Sequence, residues 1–408
     1  MSASRDRLQS FPDEPRVFIL SDISNEPDDA ESLDMHKILD SYDKVVQNLN
    51  AHAHSNDPYP SAKHLKSLVK KGVETYGMSA INTDVPLSGG GQLLLKRIQT
   101  PSNRPLWILC WGGTNVLASV LLEIERTRST SEAVKLRSKL RVYTISDQDD
   151  KVYGSVTSFP IFSTYALSMV GVRGPDPTKI SKDWIRANIQ IGLFGSAYPE
   201  FMFIPEGDTP SFLYLIQNGL GIPESPEYGS WGGRYIRTDA SGSGLANGHY
   251  SDTADQVIGL DGRRHKSNQA TIWRWRDAFQ NDLAARMQWT LSTDLGSCNH
   301  HPIISINGDQ GLKPLAIESE AGSSLQFDAS ATYDPDPGDS IAFKLYQYMD
   351  PSATQWSTQH EVGRLEIHAL NSAKSIVKVI LPPPENCCVE LISRKAVSGV
   401  NSFIFSSR

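Results

Sequence analysis

"VFILSDISNEPDDAESL", Val17 to Leu33, joins a four-residue apolar run to a crowd of acids. Asp22, Glu26, Asp28, Asp29 and Glu31 fall within ten positions. Like charges this close repel, and desolvating them is costly, so water, helix-start amides or a cation must compensate. The apolar run reads as a strand, and the stretch beyond it as a loop that enters a helix. That is half of a strand–loop–helix unit.

The same unit recurs. "PLWILCWGG" (Pro105 to Gly113) is a second strand, and "TNVLASVLLEIER" follows with helical spacing at Val116, Val120 and Ile124. "LRVYTISDQDD" (Leu140 to Asp150) is a third strand ending in carboxylates. "FMFIPEGDTPSFLYLIQNGLG" repeats strand, acidic turn, helix and glycine stop, and "TIWRWRDAFQNDLAARMQWTL" reads as one long amphipathic helix. Such repetition implies a parallel sheet flanked by helices, with ligands bound beyond the carboxyl ends of its strands. Asp22, Asp28, Asp29, Asp147, Asp149, Asp150, Glu206 and Asp208 all fall at predicted strand ends. Gly219 to Arg264, rich in Gly, Ser and Tyr, reads as a long irregular loop.

After Asn299 the texture changes to short alternating runs bounded by Asp, Gly and Pro. This predicts an all-β, immunoglobulin-like sandwich with a core of its own. The expected division is a tail over 1–15, an α/β domain over 16–298 and a β-domain over 299–408.

With 408 residues and 39% hydrophobic content, the chain can bury a sizeable core. A formal charge of −7 and no basic stripe argue against a nucleic-acid partner. No apolar run has the length of a membrane span. "MSASRDRLQSFPDEPRV" has no apolar core, so a secretory signal is not expected and a cytoplasmic location is. Cys110, Cys298, Cys387 and Cys388 show no CxxC spacing and read as reduced thiols.

Calcium takes six to eight oxygen ligands, many from carboxylates and carbonyls. The acid-rich loop offers such a set, although Asp near a helix start is also an ordinary cap. A strand followed by Asp-x-x-x-x-x-Asp-Asp resembles the opening of the nucleoside hydrolases, calcium-dependent enzymes that cleave the N-glycosidic bond. "SDISNEPDDAESL", "WGGTNVLA", "YTISDQDD", "EGDTPSFLYLI", "GSWGGRY" and "NQATIWRWRDAFQNDLAARMQW" more closely resemble the nucleoside hydrolase-like domain of the bacterial and fungal cellulose-binding protein family. That family's C-terminal β-domain resembles "NHHPIISINGDQG" and "FDASATYDPDPGDSIAFKLYQY".

The resemblance implies a nucleoside hydrolase-like fold, a bound calcium ion, and a nucleoside or carbohydrate ligand. It implies a metal shell of Asp22, Asp29, Thr114 (through its carbonyl) and Asp282. Asp28 would lie between metal and sugar. Glu206 and Asp208 would grip sugar hydroxyls, with Asn115 and Asn281 beside them. The middle aspartate of the opening motif is Ser24 here, and a serine is no equivalent base near neutral pH. Glu26 or Asp22 would have to replace it. The chain also passes from Leu33 straight into "DMHKILDSYDKVVQNL", about thirty residues short of the usual architecture, so a strand and a site loop are expected to be missing. Among the tryptophans, Trp231 in "GSWGGRY" is the candidate sugar platform, whereas Trp273 and Trp289 suit the core. Two functions follow as expectations: hydrolysis of N-glycosyl bonds by a calcium-bound water, or polysaccharide binding without catalysis. A truncated, inactive paralogue is a further alternative.

Overall fold

The computed structural model describes residues 4–21, 35–75, 77–81, 85–145, 161–164, 174–200, 207–238, 249–352, 364–386 and 402–406. The acid-rich loop from Asp22, the run Asp147 to Asp150, and Glu206 lie outside them.

A six-stranded sheet organises the first domain. Its strands are β1 (Arg16–Leu20), β2 (Leu106–Cys110), β3 (Leu140–Ile145), β4 (Ile161–Thr164), β5 (Tyr235–Thr238) and β6 (His249–Asp252), in the order β1-β2-β3-β4-β6-β5. All neighbours run parallel except β5, which pairs antiparallel with β6. Both faces of the central strands are packed, as a parallel sheet requires. On one face Ile108, Val142 and Leu140 meet Leu117, Val120 and Ile124 of the helix Asn115–Thr127. On the other, Trp107, Leu109 and Tyr143 meet Tyr214 and Tyr235.

Two expectations need correction. The stretch expected to be an irregular loop supplies β5 and β6, and then the hairpin β7 (Asp255–Ile258) and β8 (Arg264–Ser267). Strands of four residues among Gly and Ser give too little alternation to register. The long helix is broken: Ala270–Trp273 ends, and a second helix runs Arg276–Trp289. Trp275 leaves the helical region (φ −103°, ψ 1°) and buries its ring against Tyr348 of the second domain. The described part of the tail, from residue 4, meets the second domain: Arg7 lies over the Tyr333 ring and the Tyr333 hydroxyl donates to the Arg7 carbonyl.

Strand β1 is one edge of the sheet among the described residues, and Val17 and Ile19 on one of its faces are 40% and 43% exposed. A sheet wound on both sides normally covers that face.

The second domain holds β9 (Ser324–Asp328), β10 (Lys344–Tyr348), β11 (Glu366–Ala369), β12 (Ile376–Ile380) and β13 (Ser402–Ser406). They form antiparallel sheets β11-β12-β9 and β10-β13. Phe327, Val377 and Val379 are the centre of its core. An immunoglobulin-like sandwich has about seven strands, and five are described.

Candidate functional site

Three of the sequence motifs meet at the carboxyl edge of the parallel sheet. Trp111, one residue past β2, donates its backbone N–H to the Leu20 carbonyl at the end of β1 (2.8 Å). Its indole Nε1 donates to Ser211 Oγ (2.6 Å), whose hydroxyl donates to the Asp208 carbonyl (2.7 Å). "WGGTN" is thereby tied to "EGDTPS", two residues from where the acid-rich loop begins. "GSWGGRY" completes the cluster. A Cβ at Gly232 would stand 2.1 Å from the Pro210 carbonyl oxygen and 2.4 Å from the Tyr214 nitrogen, so only glycine permits this approach. The Gly232 carbonyl accepts from the Tyr235 hydroxyl (2.6 Å), which in turn meets the Tyr143 hydroxyl of β3 (2.5 Å). Burial pushes the Tyr214 and Tyr235 phenols well above their usual range, so both stay neutral and hold the loop by hydrogen bonds.

Thr114 and Asp208 are buried beside this junction, and Asn115 and Trp231 are half-buried. Thr114 precedes the helix Asn115–Thr127, and its carbonyl accepts from Ala118 N–H (2.9 Å). The Asn115 amide donates to the Thr75 carbonyl (3.2 Å). Trp231 packs against the cluster of Leu213, Ile272, Trp275, Phe279 and Tyr348, so part of its ring is core. Of the other tryptophans, Trp107, Trp111, Trp275 and Trp289 are buried, whereas Trp273, expected in the core, is half-buried.

Asp282 and Asn281 go elsewhere. Asn281 is exposed and accepts from Lys179 Nζ (2.8 Å). Asp282 lines a cavity of about 590 Å³ between the N-terminal segment and the helix Arg276–Trp289. The described lining of that cavity includes none of Thr114, Asn115, Asp208 or Trp231. Asp282 Oδ2 accepts from Arg286 Nε (2.9 Å), and Oδ1 lies 2.9 Å from His301 Nε2. Burial would raise this carboxyl, but His301 and Arg286 outweigh it and hold it at about 2. Val17 reaches the same cavity, which sits beneath the uncovered face of β1.

Of the implied calcium shell, Thr114 and Asp282 are among the described residues. Asp282 Oδ2 is engaged by Arg286, Oδ1 is buried with no hydrogen-bond partner among the described residues, and the Thr114 carbonyl accepts from Ala118 N–H in its helix. Asp22 and Asp29, the remaining implied ligands, and Asp28 and Glu26 beside them, lie outside the described residues.

Sequence reasoning missed a buried relay at the domain junction. His52 Nε2 meets the Ser292 carbonyl (2.9 Å), its Nδ1 meets His300 Nε2 (2.9 Å), and His300 Nδ1 meets Asp336 Oδ1 (2.8 Å). Trp289 stacks on both imidazoles. These histidines have no metal-ligand spacing in sequence, and only folding brings them together.

A family model described as the cellulose-binding Sde182 nucleoside hydrolase-like domain matches residues 33–235. A second, described as the C-terminal domain of cellulose-binding protein Sde0182, matches residues 324–400. The first match begins just after the acid-rich loop. Among solved structures, the chain is similar to a nucleoside hydrolase-related hypothetical protein from Saccharophagus degradans associated with carbohydrate metabolism. The identity is 26%, the TM-score is 0.73, and the alignment covers 91% of this chain and 92% of that one. No curated protein matches.

Proposed function

We propose that this chain, which belongs to the cellulose-binding Sde182 family, binds carbohydrate on a nucleoside hydrolase-like scaffold and does not cleave it. The observation that carries this reading is the placement of Asp282. Its Oδ2 is held by Arg286, and it lines a cavity whose described lining includes none of Thr114, Asn115, Asp208 or Trp231. Ser24 removes the expected base from the other side of the motif.

Binding asks less of the site than hydrolysis. It needs an aromatic face, a few fixed polar groups and a rigid frame. Trp231 supplies the face, Asn115 and Asp208 the polar groups, and the Gly232 contact the frame. Affinity electrophoresis in soluble β-glucan gels tests the reading. Retardation by the glucan, lost in Trp231→Ala, is expected. Unretarded migration of the intact chain contradicts it.

Calcium-dependent hydrolysis of an N-glycosyl bond is the second reading. It is favoured by the Trp111–Leu20 hydrogen bond, which ties the end of β1 to the WGGTN turn that carries Thr114. Release of free base from nucleosides by the Ser24→Asp variant, dependent on calcium, would support it.

A further inference from the structure

The chain carries a net charge of −7, yet one cavity reverses that sign. It measures about 490 Å³ and lies where the β7–β8 hairpin, the Trp273–Asp277 segment and the second domain meet. Lys179, Arg264, Arg274, Arg276 and Arg364 line it, against Asp176 and Asp277.

The pairings leave an excess. Lys179 is matched by Asp277 (2.9 Å), and Arg274 by Asp255 and Asp350. Arg276 is 4% exposed and donates to the Asp176 carbonyl (2.6 Å). Arg264 on β8 and Arg364 of the second domain have no carboxylate within ion-pair distance among the described residues. Both are exposed and enter the cavity from different domains.

We infer that this cavity is a binding site for an oxyanion, held between Arg264 and Arg364. A guanidinium presents a planar donor fork that matches a carboxylate, sulfate or phosphate, and a cleft with an excess of one sign concentrates the opposite ion. Burial pushes the Arg276 guanidinium down to about 10, a strain that an anion in the cavity relieves. Trp273 forms one wall, so the anionic group can belong to a ring-shaped ligand such as an acidic sugar. Free phosphate offers the same chemistry. This site is distinct from the carboxyl-edge cluster, and neutral glucan binding does not depend on it.

The test is calorimetric titration of the full chain with glucuronate, inorganic phosphate and glucose at constant ionic strength. Saturable binding of an oxyanion is expected, with none for glucose at this site. Tighter glucuronate binding identifies an acidic sugar, and tighter phosphate binding identifies the free ion. Arg264→Gln and Arg364→Gln should each weaken it by about tenfold, as loss of a charge-assisted hydrogen bond does. Both side chains are at the surface, and an unchanged melting temperature of the variants without anion shows that folding is intact. Trp231→Ala should leave anion binding alone. No saturable oxyanion binding, or binding unchanged in the double variant, overturns the inference.

Discussion

Arg274 Nη2 stands 2.6 Å from Asp350 Oδ2 across the junction of the two domains. The pair belongs to a larger buried set. Arg234 and Arg274 both grip Asp255, the Tyr348 hydroxyl donates to the same carboxylate, and Asp350 also accepts from Gln256 N–H. Two guanidiniums are balanced by two carboxylates, with Tyr348 wholly buried among first-domain side chains.

Breaking such a set from one side leaves an uncompensated buried charge, which costs about 3–5 kcal/mol. Asp350→Ala should therefore lower the stability of the whole chain by that amount in denaturant titration. The β-domain has a core of its own around Phe327, Val377 and Val379, but the junction also ties it to the first domain. A fragment of 299–408 would expose Tyr348 and leave Asp350 without Arg274. Intact protein should melt in one transition, whereas the isolated fragment should melt far lower or without cooperativity. A fragment as stable as the intact chain would show that the junction contributes nothing.

Gly232→Ala should destabilise by about 3 kcal/mol, at the upper end of overpacking costs, because the clash is with backbone atoms that cannot swing away. Gly219→Ala is a useful contrast. Its φ of +78° strains an alanine, but nothing lies within 4 Å of the added carbon. Thermal melts of the two variants separate crowding from backbone strain.

The sheet was legible where the sequence shows long apolar runs. "LWILC" is buried at every residue, and Val116, Val120 and Ile124 do face the core. The break at Trp275 was not legible, because helical propensity continues through "WRWRDAF" and only Tyr348, far along the chain, rewards leaving the helix. Asp282 shows the other limit. Its motif implies a metal ligand, and nothing in the motif shows that folding sets it against Arg286 and 2.9 Å from His301. The nearer clue was Arg286 itself, four residues on and one helical turn away.

Acid should unfold the protein in two stages. Burial first, then the neighbouring His300 charge, lowers the His52 imidazole below its ordinary 6.5, so the unfolded chain binds that proton more readily. Stability should fall as pH drops through about 6.5. Asp282 acts lower. Its folded value of about 2 lies beneath the ordinary 3.8, so its contribution is full above about 4 and lost as pH falls towards 2. Urea midpoints measured from pH 8 to pH 2 would show both slopes, and the first should vanish in His52→Phe.

Asp282→Ala separates structure from function. It leaves Arg286 unpaired in a largely buried setting and should cost about 3 kcal/mol. Since Asp282 does not line the carboxyl-edge cluster, glucan affinity of the folded variant should match the parent. Equilibrium binding well below the unfolding temperature reads this, and a loss of affinity without unfolding would return Asp282 to the site.

The proposed function is binding without cleavage at the carboxyl edge. Its most direct measurement is one mixture of protein and soluble cello-oligosaccharide or nucleoside. Bound ligand is read by calorimetry, and released reducing sugar or free base by chromatography, with calcium and then with a chelator. The account predicts saturable oligosaccharide binding that Trp231→Ala weakens about tenfold, unchanged by the chelator, with no product in either condition. Product that accumulates with calcium and stops with the chelator would contradict it.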